Sequence, residues 1–451
     1  RGEVTVLVDG LWQPVTGEMQ LSQSALIQTQ EGEATLVLHD DGVMRLGPHT
    51  TIALHDIADR PALPQHDTTL TLHAGKIWMQ GLVSASLPGL SIATSQGRVL
   101  VHEGSVSLTE GDIVEVNVWD RRIIVIREGQ EIPLVAGERL ELWEGNVPVV
   151  NTIPLKQYQD EVVAENLQRD AVHRKEIAGL QRERRAALAG ILPTSPLYPA
   201  KRVAEAVDVL FTFTDEARAQ KLLEHANTRL NEAAALIADG SGDPSASLDE
   251  YRQTVLRVAT GSGDGSLVQF LLQKDLLATA ADVSAALPDD AMYPLKRAVL
   301  VTSAVLPMGL VSVEEVQHVL ITDTLSGLMR AVEQGDAVRA ERAFEELQPV
   351  LAEIDRPDAV LSPTLREEVR ASLATFASAL KAYEEDGGAV NSTLLTTLRQ
   401  YLPDQATPRA VSVLTDAEVD ALVAGITDRI FLYKHPRSRW NQLVYEFYAL
   451  D

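Results

Sequence analysis

Apolar and polar residues alternate with period two through the first third of the chain, and the period then becomes helical. The alternation is clear in Val4-Thr5-Val6-Leu7-Val8, Ala34-Thr35-Leu36-Val37-Leu38, Leu70-Thr71-Leu72, Val99-Leu100-Val101 and Ile123-Ile124-Val125-Ile126. Such runs place one set of side chains on a core face and the other toward solvent, as half-buried strands do. Turn signals separate them at Asp41-Gly42, Gly47-Pro48, Gly75, Pro88-Gly89, Glu103-Gly104, Glu110-Gly111, Glu128-Gly129 and Ala136-Gly137. Short strands at this spacing predict an all-β domain over residues 1–150, built as a sandwich, barrel or β-solenoid.

From Pro154 the pattern predicts helices. Residues 151–190 read as a connecting segment holding one long polar helix, with Val162, Val163, Leu167, Ile177, Leu180 and Leu188 as a narrow apolar stripe. Arg174, Lys175 and the run Arg182 to Arg185, interleaved with Glu176 and Glu183, read as its solvated face. Thr214 followed by Asp215 and Glu216 opens a further helix, and Gly240 stands where its left-handed stop would fall.

One motif recurs. Leu192-Pro193 followed by Tyr198-Pro199-Ala200-Lys201-Arg202 returns as Leu287-Pro288 followed by Tyr293-Pro294-Leu295-Lys296-Arg297, each matched residue shifted by 95 positions. The register returns at Leu230/Leu325, Gly240/Gly335 and Val255-Leu256/Val350-Leu351, and Ser312 with Glu315 makes a capping box in the second stretch. Proline after tyrosine favours an extended residue followed by a first helical turn, so the motif is read as start geometry, with tyrosine packed inward and Lys-Arg exposed. The pattern predicts an all-α duplicated array: unit one over 191–285, unit two over 286–385 and a C-terminal helical segment over 386–451.

Composition narrows the function. With 451 residues, the chain is too long for a single core. Its net charge of −25 excludes nucleic acid as the main partner, because phosphates would be repelled over most of the surface. No run is apolar and long enough to span a membrane; Ala298 to Val311 is broken by Thr302, Ser303 and Pro307. Cysteine is absent, so disulfides and thiolate chemistry are excluded. The lack of cysteine and the start at Arg1 are read together as an expectation of an exported protein that has lost a signal peptide or anchor before Arg1.

Two stretches carry family resemblances. The order Ser24-Ala25-Leu26-Ile27-Gln28-Thr29, Ala34 to Leu38, Asp40-Asp41-Gly42, Arg45-Leu46-Gly47-Pro48 and Thr51-Ile52-Ala53-Leu54 resembles the FecR-like domain. Leu70 to Trp78 looks like that family's Leu-x-x-Gly-x-x-Trp/Val strand, and Ile92-Ala93-Thr94, Gly104-Ser105-Val106 and Val135-Ala136-Gly137-Glu138 follow in order. The family's usual Gly-Thr pair is replaced here by Gly97-Arg98 or Gly104-Ser105. The resemblance covers about residues 3–145 and implies extracytoplasmic sensing or regulation through protein contacts. Leu192-Pro193-x-Ser195-Pro196-Leu197-Tyr198-Pro199-x-Lys201-Arg202-x-x-Glu205, with Ala226 to Ala233, resembles an uncharacterised bacterial helical domain over about 190–258, with a second copy of its opening motif in 287–355.

Searches for chemistry return little. Asp239, Ser241, Asp243, Ser245, Ser247 and Glu250 have calcium-loop spacing, but Pro244 replaces the glycine needed at position six, so the stretch reads as an acidic connector. Gly261 to Ser266 lacks the Lys-Ser/Thr of a phosphate loop, no Gly-x-Ser-x-Gly elbow occurs, and the histidines lack zinc spacing. The basic-aromatic stretch Tyr433 to Trp440 stands out in an acidic chain as a contact segment, for its own bundle or a neighbouring copy. No catalytic, cofactor-binding or metal residue is assigned. The sequence thus predicts a non-enzymatic extracytoplasmic binding or regulatory protein of the bacterial envelope that contacts a protein partner or itself. The alternative is a self-assembling surface-layer-type protein.

Overall fold

The computed structural model describes residues 2–333, except for 9, 22–23, 39–40, 57–67, 84–88, 154, 159, 262–266, 305 and 307–312, together with isolated positions from 344 to 410. Gly335, the Ser312–Glu315 capping box, Val350-Leu351, the C-terminal segment 386–451 in all but two residues, and the stretch Tyr433 to Trp440 lie outside the described residues. So do Ser262 to Ser266 of the glycine-rich stretch.

The layout is β then α. Strands β1 (Val4–Val8), β2 (Leu11–Pro14), β3 (Leu26–Thr29), β4 (Ala34–Val37), β5 (Val43–Leu46) and β6 (Thr51–Asp56) are short, as the turn spacing predicts. They lead into three long strands, β7 (Thr68–Leu82), β9 (Gly97–Glu110) and β10 (Val114–Arg127), with the shorter β8 (Leu90–Thr94) between the first two. β11 (Gln130–Val135), β12 (Glu138–Leu142) and β13 (Val149–Thr152) follow in the same sheet. Its pairings are antiparallel except β7 with β8, which is not the parallel stacking of a β-solenoid.

The long strands change neighbours partway along. The first half of β7 pairs with β6 and β8, and its second half with β5 and β9. Gly75 and Glu103-Gly104, read from the sequence as turns, lie inside β7 and β9 instead, because the change of neighbours needs special backbone there. Gly75 has φ +95°, and a Cβ there would run into Thr50 at 2.5 Å. Thr50 in turn joins the segments that carry the FecR resemblance: its backbone N–H donates to Thr29 Oγ1 at 2.8 Å, and its hydroxyl exchanges hydrogen bonds with the Lys76 backbone at 3.0 and 3.1 Å. Thr29 Oγ1 also donates to the Gly47 carbonyl at 2.6 Å. The strand-ending threonine, the Leu-Gly-Pro step and the glycine of β7 therefore meet at one buried knot.

Helices follow. α1 (Leu155–Tyr158) is a single turn, and α2 (Glu161–Ala187) runs for 27 residues from an Asp160 cap whose carboxylate accepts from the Val162 and Val163 amides. Next come α3 (Tyr198–Leu210), α4 (Asp215–Asp239), α5 (Ser245–Gly261), α6 (Leu267–Ala281), α7 (Tyr293–Ala304) and α8 (Val313–Glu333). Thr214 Oγ1 accepts from the Ala217 amide to cap α4, and Gly240 closes that helix at φ +59° in the left-handed region. α3 and α7 each begin at the tyrosine of the repeated motif. Leu230, Ala233, Tyr251, Val255, Leu272, Leu276, Leu295 and Val299 form a common core among α4 to α7.

The reading of α2 is corrected. Val162, Leu180 and Leu188 of the predicted stripe are exposed, and the buried face is Asp170, Arg174, Ile177, Ala178, Gln181 and Arg185. Lys175, Glu176, Glu183 and Arg184 are exposed as expected, but Arg174 and Arg185 are not. The physical reason is that partners distant in sequence satisfy this polar face.

Candidate functional site: a charged seam between sheet and helices

The seam starts from a strained turn of strand. β10 pairs with β9 through Arg121 opposite Gly104 and Arg122 opposite Glu103, with a register shift on either side. Arg121 adopts φ +66°, a conformation that side chains with a Cβ rarely take. Gly104 opposite it has φ +126°, and a Cβ there would collide with the Asp120 carbonyl oxygen. The two backbones come this close only because position 104 lacks a side chain, and the bulge turns Glu103 and Arg121 toward the helices.

Three cations converge on Glu103. Arg174 of α2 donates to its Oε1 at 2.7 Å, Lys296 of α7 lies 3.2 Å from the same oxygen, and Arg121 Nε lies at 3.3 Å. Asp323 of α8 balances the excess positive charge: its carboxylate pairs with Arg121 and lies 3.1 Å from Lys296. The half-exposed Asp120 adds a third carboxylate, 3.7 Å from Arg121 and 3.0 Å from the Ser326 hydroxyl. Burial alone would push the Glu103 carboxyl up; Arg121, Lys296 and Arg174 outweigh it and hold it at about 2. Glu103 is thus ionised at neutral pH within a closed cluster contributed by β9, β10, α2, α7 and α8.

A second buried carboxylate extends the seam along α2. Asp170 accepts from Arg45 at 2.6 Å, from the Trp78 indole at 2.8 Å and from the Ser105 hydroxyl at 2.6 Å, while its backbone carbonyl accepts from Gln80 at 2.8 Å. Trp78 stacks on Trp119 at 5.7 Å, and Tyr158 meets Trp119 edge-on at 5.1 Å. One turn beyond Ile177, α2 reaches the helices: Gln181 bonds the Ala281 carbonyl and the Ala285 amide, and Arg185 reaches Asn231 and Asp282. α2 therefore lies between the sheet and the helical core and is held on both sides by polar groups.

The repeated motif is also part of this electrostatic frame. In the first copy, Lys201 donates to Glu232 at 2.6 Å and to the Ala189 and Ile191 carbonyls at 3.0 and 3.1 Å. Tyr198 donates to Glu232 at 2.9 Å, and Arg229 contacts Tyr198, Glu205 and Glu232. Arg202 bonds Glu205 at 2.5 Å and also Glu250. The expectation of an exposed Lys-Arg pair is corrected for Lys201 and Lys296: buried carboxylates hold both amines, and only Arg297 keeps to solvent. At positions shifted by 95 from Glu205, Arg229 and Glu232 stand Leu300, Thr324 and Gly327. With no such partners at the shifted positions, Lys296 pairs with Glu103 and Asp323. Gly327 leaves room for Pro288, which a Cβ there would approach to 3.3 Å.

The acidic connector takes no ligand geometry. Asp243 accepts from the Ser245 amide and hydroxyl at 2.9 and 2.7 Å just before α5, and Glu250 is turned to Arg202. Among the described residues no three acidic or histidine side chains are grouped to hold a metal, and no helix is long and apolar enough to cross a membrane.

One half-buried carboxylate is expected to cost stability at neutral pH. Asp275 accepts from Asn227 at 2.7 Å. Burial pushes its pKa up to about 6, against the smaller opposing effects of Asn227 and Arg185. The folded chain then keeps a proton that the unfolded chain has released, so this group lowers stability as pH rises from about 4 to 6. Asp275→Asn is expected to raise stability by up to about 2 kcal/mol at neutral pH and to flatten that part of the pH profile. Urea unfolding of both proteins across pH 4–8 checks this, and a variant less stable than the parent at neutral pH contradicts it.

Residues 25–123 match the FecR protein family, and residues 190–279 match a domain of unknown function, DUF5667. The first match spans β3 through most of β10 and contains Glu103 and Arg121; the second extends through most of α6. Lys296 and Asp323 lie beyond both. No curated protein matches the chain. Two solved structures of a candidate anti-sigma factor from Parabacteroides distasonis ATCC 8503 are similar at 13% and 11% identity, each with a TM-score of 0.26. They cover 30% of this chain, and the chain spans 62% of theirs. At that TM-score the likeness carries no argument about function.

Sequence reasoning found neither Glu103 nor Asp323 nor the buried face of α2. The available signals were the Glu103-Gly104 pair inside an apolar run and the spacing of Asp170, Arg174, Gln181 and Arg185 by 4, 7 and 4, which puts all four on one helix face.

Proposed function

We propose that this chain is a non-enzymatic regulatory module of the bacterial envelope. In this reading the FecR domain contacts a protein outside the cytoplasm and the helices form a body joined firmly to it. The FecR match supports the regulatory character, and the net charge of −25 favours a protein partner over a polyanion. The observation that carries the reading is the seam, in which Glu103 and Arg121 of the sheet are tied to Arg174, Lys296 and Asp323 of three helices. A partner that moves the β9–β10 bulge would thereby alter contacts on α7 and α8. We read 191–285 and 286–385 as related units whose shared lysine was put to two uses, one closing its own unit and one grasping the β-domain.

The test uses the source cells. A photocrosslinking residue at the exposed Val37 of β4 is expected to capture one heterologous protein. External protease is expected to remove a C-terminal epitope from intact cells. A ladder of self-linked copies would instead favour surface-layer-type assembly, and an epitope protected like a cytoplasmic marker would contradict the location.

A further inference from the structure

Helix α3 is attached by its polar side. Lys201, Arg202, Glu205 and Asp208 face the body and pair with Glu232, Glu250, Arg229 and Lys221. The opposite side carries Val203, Val207, Leu210 and Phe211, spaced i, i+4, i+7 and i+8, and α3 has no buried residue. An apolar stripe at this spacing normally marks the face that enters a core. Here it points outward: Leu210 is 72% exposed and Phe211 66%, with Phe213 at 87% and Leu197 at 63% extending the patch at either end. Single exposed apolar residues are ordinary, but a helical row of them that ends in an aromatic ring marks an interaction surface.

We propose that this face of α3 is the docking site for an amphipathic helix of a partner protein, one whose apolar ridge is flanked by lysine and arginine. The argument for basic flanks is charge. The cations of α3 itself are spent on internal carboxylates, whereas Asp215 and Glu216 stand exposed at the C-terminal end of the patch and Asp208 and Glu224 are half-exposed beside it. Arg218 and Lys221 do not balance these four acids. The same face of a second copy would bring the same acids against each other, and an anionic bilayer would meet the same repulsion. A cationic amphipathic helix satisfies both the stripe and its rim, in the helix-on-helix mode read through i, i+4 and i+7 anchors. The inference does not depend on the regulatory reading, because the face would bind its partner whether or not the sheet relays a signal.

The full chain is titrated against a labelled helical peptide of leucine and lysine, about 18 residues long, and against its twin with glutamate for every lysine. The lysine peptide is expected to bind at micromolar concentration, the glutamate twin at least about tenfold more weakly. Val207→Asp/Leu210→Asp is expected to weaken the lysine peptide by at least about tenfold with an unchanged melting curve, since neither residue is buried. That variant adds two carboxylates, so attraction by charge alone would tighten binding; unchanged or tighter binding overturns the proposal. Two other results also overturn it: dimerisation of the parent that the variant abolishes, which assigns the face to a second copy, and sedimentation with phosphatidylcholine vesicles that the variant abolishes, which assigns it to lipid.

Discussion

Glu103→Gln is expected to lower the unfolding free energy by about 3–5 kcal/mol, the usual consequence of removing one partner from a buried ionic cluster. The amide keeps the shape but not the charge. Arg121, Arg174 and Lys296 would then share only Asp323 and the half-exposed Asp120, with little water to disperse the excess. The loss should depend on pH. The folded pKa of Glu103 lies below its ordinary value of 4.5, so its contribution is complete above that value and disappears as pH falls toward 2. Parent and variant are therefore expected to differ fully at neutral pH and to converge in acid. Urea denaturation is the appropriate measurement, because guanidinium chloride would screen the cluster. A difference below about 1 kcal/mol at neutral pH would place the seam among ion pairs of little energetic consequence.

Arg229→Met should cost a similar amount, about 3–5 kcal/mol, from a different place. Arg229 is 1% exposed and spans Glu205, Glu232 and the Tyr198 hydroxyl. Without it, the fully buried Glu232 keeps only Lys201 and Tyr198. Adding Glu232→Gln to the same chain is expected to restore part of the loss, since the double change removes the stranded charge as well as its partner. Strictly additive losses from the two substitutions would show that Arg229 and Glu232 do not act together.

Backbone chemistry was the legible part of this chain. The shift of period near Pro154, the glycines at the strand ends (Gly42, Gly111, Gly129 and Gly137, but not Gly75 and Gly104, which lie inside β7 and β9), the Thr214 cap, the Gly240 stop and the Tyr-Pro starts of α3 and α7 are local signals, each set by the conformational freedom of one or two residues. The seam was not legible, for a physical reason. Periodicity reveals apolar faces, whereas the buried face of α2 is polar and is satisfied by groups far along the chain: Glu103 lies 71 positions from Arg174 and 193 from Lys296. α3 presents the converse case, an apolar face left outside because carboxylates of the body hold the other side. The repeated lysine shows both limits, since one motif predicts one start geometry for Lys201 and Lys296 but not their different partners.

The most direct test of the seam as a rigid joint is whether sheet and helices unfold together. Trp12, Trp78, Trp119 and Trp143 lie in the β part, so in a Trp440→Phe background fluorescence follows the sheet while circular dichroism at the helical band follows the helices. The two urea transitions are expected to coincide in the parent chain and to separate when Glu103→Gln and Lys296→Met are introduced together. Two transitions already separate in the parent would contradict a joint of this kind.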